Sequence, residues 1–323
     1  MTEHAVITPL AAPVARYVLH PAIARGQTAT VHPAHVVGQG GFARLVAAKR
    51  IHAALVGDPS VVAVIEHEAR TASNIHHPNV VPVLDVVHAE REVILVQEFV
   101  HGVPLSLLLR SPRVDLEISI AILAGIVSGL VATHEAKLDT VRPAIVNSDA
   151  SALDVLVSVD GVPRLLDFGI ARSRRADLYA VGLLAWKLLD PKRRLEPFVA
   201  RALANDPRKR FTSATSMLDA LLAICRPAPA AEVAKWVRAV GADHLEKRRI
   251  TLAACEASFR MMQRTSDPPP PPSPSPSPID EGHERPSLVN KVTPFLPWVA
   301  TILSLLVFGI VAGMLVQVSF GSR

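Results

Sequence analysis

An α+β fold of two unequal lobes, followed by a separate apolar segment, is what this sequence predicts, and three observations carry the prediction. Short β-branched runs bounded by Gly, Pro and Asn fill much of the first hundred residues. Beyond residue 115 the apolar spacing becomes helical. From Phe295 to Val318 the chain reads FLPWVATILSLLVFGIVAGMLVQV, without a charged residue.

The strand-rich part includes VVPVLDVV at 80–87 and EVILVQEFV at 92–100. A helix is expected over SVVAVIEHEARTASNI at 60–75, ending before His77-Pro78 because the residue before a proline disfavours the α conformation. The helix-rich part comprises LEISIAILAGIVSGLVATHEA, DLYAVGLLAWKLL at 177–189 and SATSMLDALLAIC. Two further amphipathic helices read from residues 227–265, through EVAKWVRAV and HLEKRRITLAACEASF. Whether they pack on the preceding lobe or bind a partner is open at this level. The Pro/Ser run at 267–278 favours extended polyproline II, a semi-rigid spacer. The expected organisation is a tail at 1–16, a globular domain at 17–225 (lobes 17–100 and 101–225), a helical extension at 226–265, a Pro-rich linker at 266–293, a membrane helix at 294–318 and a tail at 319–323.

As a helix, Phe295–Val318 spans roughly 36 Å, against about 30 Å for a bilayer core. Trp298 suits an interfacial position, and Arg285 and Lys291 precede the span, so the large N-terminal part is expected in the cytoplasm. Gly309 and Gly313 form a GxxxG pair, a candidate homodimer face. No secretory signal is expected, because MTEHAVITPLAAPVA has an acidic residue where a basic region belongs. The net charge of +5 sits partly in clusters such as PRKR at 207–210, read mainly as solvated surface. No nucleic-acid motif is present, and Cys225 and Cys255 show neither metal spacing nor a disulfide framework.

Seven motifs stand in a telling order: VAAK at 46–49, EHEAR at 66–70, HPNVV at 77–81, ILVQEFVHG at 94–102, DFGIAR at 167–172, DLYAVGLLAWKLL at 177–189 and ALANDPRKRFTSA at 202–214. Together they resemble the protein kinase family, specifically bacterial Ser/Thr kinases with a single membrane span, over about residues 17–225. The resemblance implies a two-lobed fold that binds ATP with Mg²⁺ and transfers a phosphoryl group mainly by positioning and charge neutralisation. On this reading Lys49 contacts the α- and β-phosphates while paired with Glu68. Asp167 holds Mg²⁺, and Glu98 to Val100 form the hinge for adenine, with Gln97 as gatekeeper. Val31 and Ala47 match the residues that sandwich adenine, and they are equally ordinary strand-core residues.

Two segments compete for the glycine-rich loop. GQGGFA at 38–43 ends only six residues before Lys49, too few for a strand, a turn and a second strand, so it is read as a hairpin turn. ARGQTATV at 24–31 is better placed, but only Gly26 survives of three expected glycines, and glycine is what lets backbone approach phosphates closely.

Departures from the family pattern cluster around the chemistry. The catalytic loop aligns with NSDASALD at 147–154, keeping Asp149 as acceptor of the substrate hydroxyl proton. Its His and Arg are Asn147 and Ser148, and the metal-binding Asn is Asp154, which either offers an oxygen to Mg²⁺ or has a structural role. Only nine residues separate Asp167 from Asp177, enough to cross the gap but not to build a substrate platform. Asp177 is expected to cap the catalytic loop. Arg210 loses its expected glutamate partner and must find another or solvent. These departures point to a membrane-anchored, nucleotide-binding pseudokinase; the alternatives are an active Ser/Thr kinase and a membrane adaptor that binds no nucleotide.

Overall fold

The computed structural model of the chain describes residues 17–38, 42–89, 92–111, 114–136, 155–166, 174–189 and 196–266. All of them belong to one unit, Met1–Pro268. The expected membrane helix, Pro-rich linker and Gly309/Gly313 pair lie outside the described residues.

The first lobe is one antiparallel sheet in the order β1-β3-β4-β6-β5, built from β1 (Tyr17–Leu19), β3 (Ala29–Val37), β4 (Ala43–Ile51), β6 (Glu92–Glu98) and β5 (Val83–Ala89), with β2 (Ala24–Arg25) also on β3. Strands β1 and β2 are two halves of one edge, interrupted at His20-Pro21, where proline has no N–H to donate. Pro33 faces that break from inside β3. The His20 amide donates to the Pro33 carbonyl at 2.9 Å, but Pro33 cannot return the bond. Nδ1 of His32 takes over, 2.8 Å from the His20 carbonyl.

One face of the sheet buries Ala34, Val46, Ala48, Ile94 and Val96 with Tyr17 and Val87. The other is covered by α2 (Pro59–Ala72), whose Ala69 and Ala72 pack against Val83 and Leu95. Asp58 caps α2 by accepting from the Ser60 amide at 2.8 Å, and Pro59 at the first position is pre-set for helix. A short helix, α1 (Ala53–Val56), precedes it. The turn expected at GQGGFA joins β3 to β4: Val37 faces Ala43, and the Gly38 amide donates to the Phe42 carbonyl at 2.8 Å.

The second lobe starts with β7 (Gly102–Pro104) and α3 (Leu105–Leu108); β7 forms a small sheet with β8 (Val155–Ser158) and β9 (Pro163–Leu165). Below it lie α4 (Leu116–Glu135), α5 (Arg174–Leu188), α6 (Glu196–Ala202) and α7 (Ala214–Leu222). Helix α4 is apolar almost all round, with Ile118, Ile120, Ile122, Leu123, Ile126, Val127 and Leu130 buried. Among the described residues it is the one helix long and apolar enough to cross a bilayer, yet it forms the centre of this lobe, against α5 and α7. The helix expected to open at Asp177 begins three residues earlier, at Arg174.

The structure decides the open question of residues 227–265. Both helices, α8 (Ala230–Val240) and α9 (Ala242–Ser266), pack on the kinase-like unit. Val233, Ala234 and Val237 are buried on α8. The β8–β9 turn docks beside its first turn through Gly161, whose φ is +82°, and a Cβ there would lie 2.0 Å from the Ala230 carbonyl oxygen. Only glycine meets both demands.

Candidate functional site

Strand register determines which side chains share the cleft wall. Val31 lies opposite Lys49 and Pro33 opposite Ala47 across β3 and β4. On the other side of β4, Lys49 faces Leu95 and Ala47 faces Gln97. Directly paired residues project from the same face, so Val31, Ala47 and Lys49 share the face of Leu95, the one α2 covers. Glu68 sits on α2 beside Ala69 with only 7% of its surface exposed. A carboxylate this deep is sustained only by a partner, and neither Glu68 nor Lys49 is left without one.

Gly26 lies in the hairpin joining β2 to β3, where its amide donates to the Ala29 carbonyl at 2.8 Å. The tip is tied down by His52, whose amide donates to the Thr28 carbonyl at 2.9 Å and whose Nδ1 lies 3.0 Å from the Gln27 carbonyl. A Cβ on Gly26 would meet the Ala29 oxygen at an ordinary 3.5 Å. The fold therefore does not require glycine at this position.

Glu98 ends β6, and Val100 follows it in the crossing that leads to β7. The Glu98 amide donates to the Pro82 carbonyl at 3.2 Å, and its carboxylate pairs with Arg164 of β9 at 3.6 Å. Gln97 is buried and donates from Nε2 to the carbonyl of Leu166 at 3.0 Å.

Leu166 is the last described residue before Asp167, so this bond fixes the approach to the expected metal ligand. Asn79 contributes more: its Nδ2 donates to the Pro163 carbonyl at 2.8 Å and its carbonyl accepts from the Leu165 amide at 2.9 Å. The Val81 amide then donates to the Leu165 carbonyl at 2.9 Å. In HPNVV the Asn next to a proline turn is the sequence sign of this role. Val155 and Val157 belong to the helical core, so alternation along β8 turns Leu156 to the opposite face. Asp149, Asp154 and Asp167 lie outside the described residues.

In the second lobe, Asp177 takes a specific partner, His134 at the end of α4, with Oδ2 to Nε2 at 3.0 Å. Arg174 donates to the His134 carbonyl at 2.7 Å. These bonds pin the start of α5 to the end of α4. Arg210 has replaced its lost partner: Nε donates to the Ala204 carbonyl at 2.7 Å, and the guanidinium lies 4.6 Å from the Tyr179 ring centroid.

A sheet lobe and a helical lobe, joined through the segment between β6 and β7, with a half-buried lysine and a buried glutamate on the wall between them, define the class of two-lobed kinase folds. The protein kinase domain matches residues 17–181, just over half of the chain, and the chain belongs to that family. It is similar to the tyrosine-protein kinase MasK of Myxococcus xanthus, 26% identical over 282 residues covering 67% of this chain and 44% of that protein. It is also similar to the probable serine/threonine-protein kinase SCO3848 of Streptomyces coelicolor, 31% identical over 270 residues, 62% of this chain and 39% of that protein. The chain thus spans less than half the length of these two relatives. Among solved structures, the kinase domain of Mycobacterium tuberculosis PknI matches in fold with a TM-score of 0.51 and 21% identity, over 65% of this chain and 96% of that one.

Proposed function

We propose that this protein is a membrane-anchored, nucleotide-binding pseudokinase, whose cleft takes ATP with Mg²⁺ and whose phosphoryl transfer is crippled. The single observation that carries the reading is that the chain is already in α5 at Arg174. Six residues remain between Asp167 and that helix, too few to form both a segment that crosses the cleft mouth and a platform for a protein substrate.

In the cleft, Lys49 would balance phosphate charge and Glu68 would orient it, while the backbone from Glu98 to Val100 would bond the adenine edge. Val31 and Ala47 would lie over the base. Gly26 would admit the phosphates at one position only. Asp167, with Asp154, would hold Mg²⁺, a hard cation that favours carboxylate and phosphate oxygens. The charge-free run Phe295–Val318 would place the whole assembly on the cytoplasmic side of a bilayer, and Gly309 and Gly313 would let two copies associate.

Retention of Lys49, Glu68, Asp149 and Asp167 favours a second reading, an active kinase in which Asp149 accepts the hydroxyl proton and substrate docks elsewhere. The named activities of the relatives differ in the hydroxyl they phosphorylate, tyrosine for one and serine or threonine for the other. Under that reading the amino acid labelled would have to be read out directly.

The test uses the full chain in mild detergent with γ-labelled ATP and Mg²⁺ or Mn²⁺, beside Lys49→Met. The expected result is no transfer to the protein itself or to a basic acceptor, with a rise in melting temperature on adding ATP that Lys49→Met abolishes. Label present in the parent and absent in the variant would establish the active kinase instead. No thermal shift and no label would leave only the adaptor.

A further inference from the structure

The helical extension does more than cover the second lobe. Helix α8 is rooted there: the Ala228 amide just before it donates to the Glu117 carbonyl at 2.9 Å, and Val233 and Val237 enter the helical core. Gly241, between α8 and α9, lies so close to Val103 of β7 that a Cβ would meet its Cγ2 at 2.4 Å. From this point α9 rises past the crossing. Leu245 in its first turn packs on the helical core, and Phe259, fourteen positions and about 21 Å further along, is buried against the strand lobe.

The far contact is specific. Phe259 stacks on the imidazole of His35 in β3, with centroids 4.1 Å apart and planes 8° from parallel. His35 Nε2 lies 3.0 Å from Oε1 of Glu256, one turn earlier on the same face of α9. On its other side His35 Nδ1 lies 2.8 Å from Nε2 of His20, the residue at the break between β1 and β2. Both histidines are almost fully buried, at 3% and 2% exposure. A chain of polar contacts therefore runs from the extension, through β3, to the edge of the sheet.

We propose that α9 is an intramolecular strap that holds the two lobes at a set angle alongside the Glu98–Val100 crossing, with Glu256 and Phe259 as its latch on His35. Strand β3 pairs along its whole length with β4, which carries Ala47 and Lys49. A latch on β3 thus constrains the roof of the cleft relative to the lobe beneath it. Its consequence for nucleotide rests on the cleft reading above: a strapped cleft opens less, so nucleotide enters and leaves more slowly.

The experiment compares the full chain in detergent with Phe259→Ala and Glu256→Ala, using Ile250→Ala, on an exposed position of α9, as control. Glu256 is partly exposed, so its variant leaves no core cavity to unfold the protein. Amide exchange read by mass spectrometry is expected to rise tenfold or more in residues 17–20 and 29–37 in both latch variants, with α4 and the Ile250→Ala protein unchanged. Stopped-flow release of a fluorescent ATP analogue is expected to quicken severalfold in the same two variants. Exchange unchanged in β1 and β3, or raised equally in α4, overturns the strap. If no analogue binds the parent, the nucleotide reading fails and the exchange pattern still decides the strap.

Discussion

The two lobes have kept different things. In the strand lobe the apolar interior is divided into three small clusters, on the two faces of one sheet and beneath α1 and α2, yet the register sets Val31, Ala47 and Lys49 on the face that α2 covers, with Glu68 buried on that helix. In the helical lobe one continuous core runs from Ile75 to Val237, while at most six residues lie between Asp167 and α5, which is already helical at Arg174. Under the pseudokinase reading proposed above, packing and chemistry part company in the helical lobe. A core is held by many small contacts and survives the loss of a surface loop. A phosphoryl-transfer site relies on a few groups at fixed distances, and its substrate platform is the part that can go without unfolding anything.

The largest test of this contrast is in the helical core. Ile122, fully buried at the centre of α4, is expected to cost about 3 kcal/mol on Ile122→Ala, measured by chemical denaturation. A cost below about 1 kcal/mol would mean that the helical lobe collapses around the gap and is less well packed than it looks.

A second test probes the strand lobe through pH. Burial, then the neighbouring His35, pushes the His20 imidazole down to about 4 against the opposing pull of Glu256. Its ordinary value is 6.5, so between pH 6.5 and 4 the unfolded chain takes up a proton that the folded one refuses. Stability is thus expected to fall as pH drops through that window, by up to about 3 kcal/mol, and to level off below it. In His20→Gln that part of the slope should vanish. An unchanged slope would assign it to other groups.

Arg210 sharpens the comparison on a smaller scale, because it shows how a surface reorganises once its partner is lost. Removing its bond to the Ala204 carbonyl and its contact with Tyr179 in Arg210→Ala should cost roughly 1–2 kcal/mol in thermal unfolding. A solvated arginine would cost nothing measurable. Smallest of all is Gly26→Ala, expected to change stability by less than about 0.5 kcal/mol, since the added methyl meets only an ordinary contact. If the same variant weakens binding of an ATP analogue in calorimetry, the hairpin approaches phosphate. If binding is untouched, the grip lies elsewhere.

Much of the architecture was legible in the sequence. The helices at Pro59–Ala72, Leu116–Glu135 and Ala214–Leu222 follow apolar spacing and proline or capping signals that act within a few residues. The choice between two glycine-bearing segments was equally local: six residues cannot hold a turn and two strands, and the register from Val37 to Ala43 agrees. The positions of Lys49 and Glu68 followed from motif order, and the sheet register and the burial of α2 place them on one wall.

What only the tertiary structure decided lies in contacts between distant parts of the chain. His35 and Glu256 are 221 positions apart, and no periodicity links them. Gln97 reaches Leu166 across 69 positions, and Asn79 reaches Pro163 across 84. The same holds for Arg210, whose new partner could not be named until Tyr179 and the Ala204 carbonyl were placed beside it. Local sequence determined which segments are helix or strand because those choices depend on neighbours within one or two turns. Which buried polar group satisfies which was decided by the fold, because desolvation penalises an unpaired buried group, and the partner is whatever the packing brings within about 3 Å.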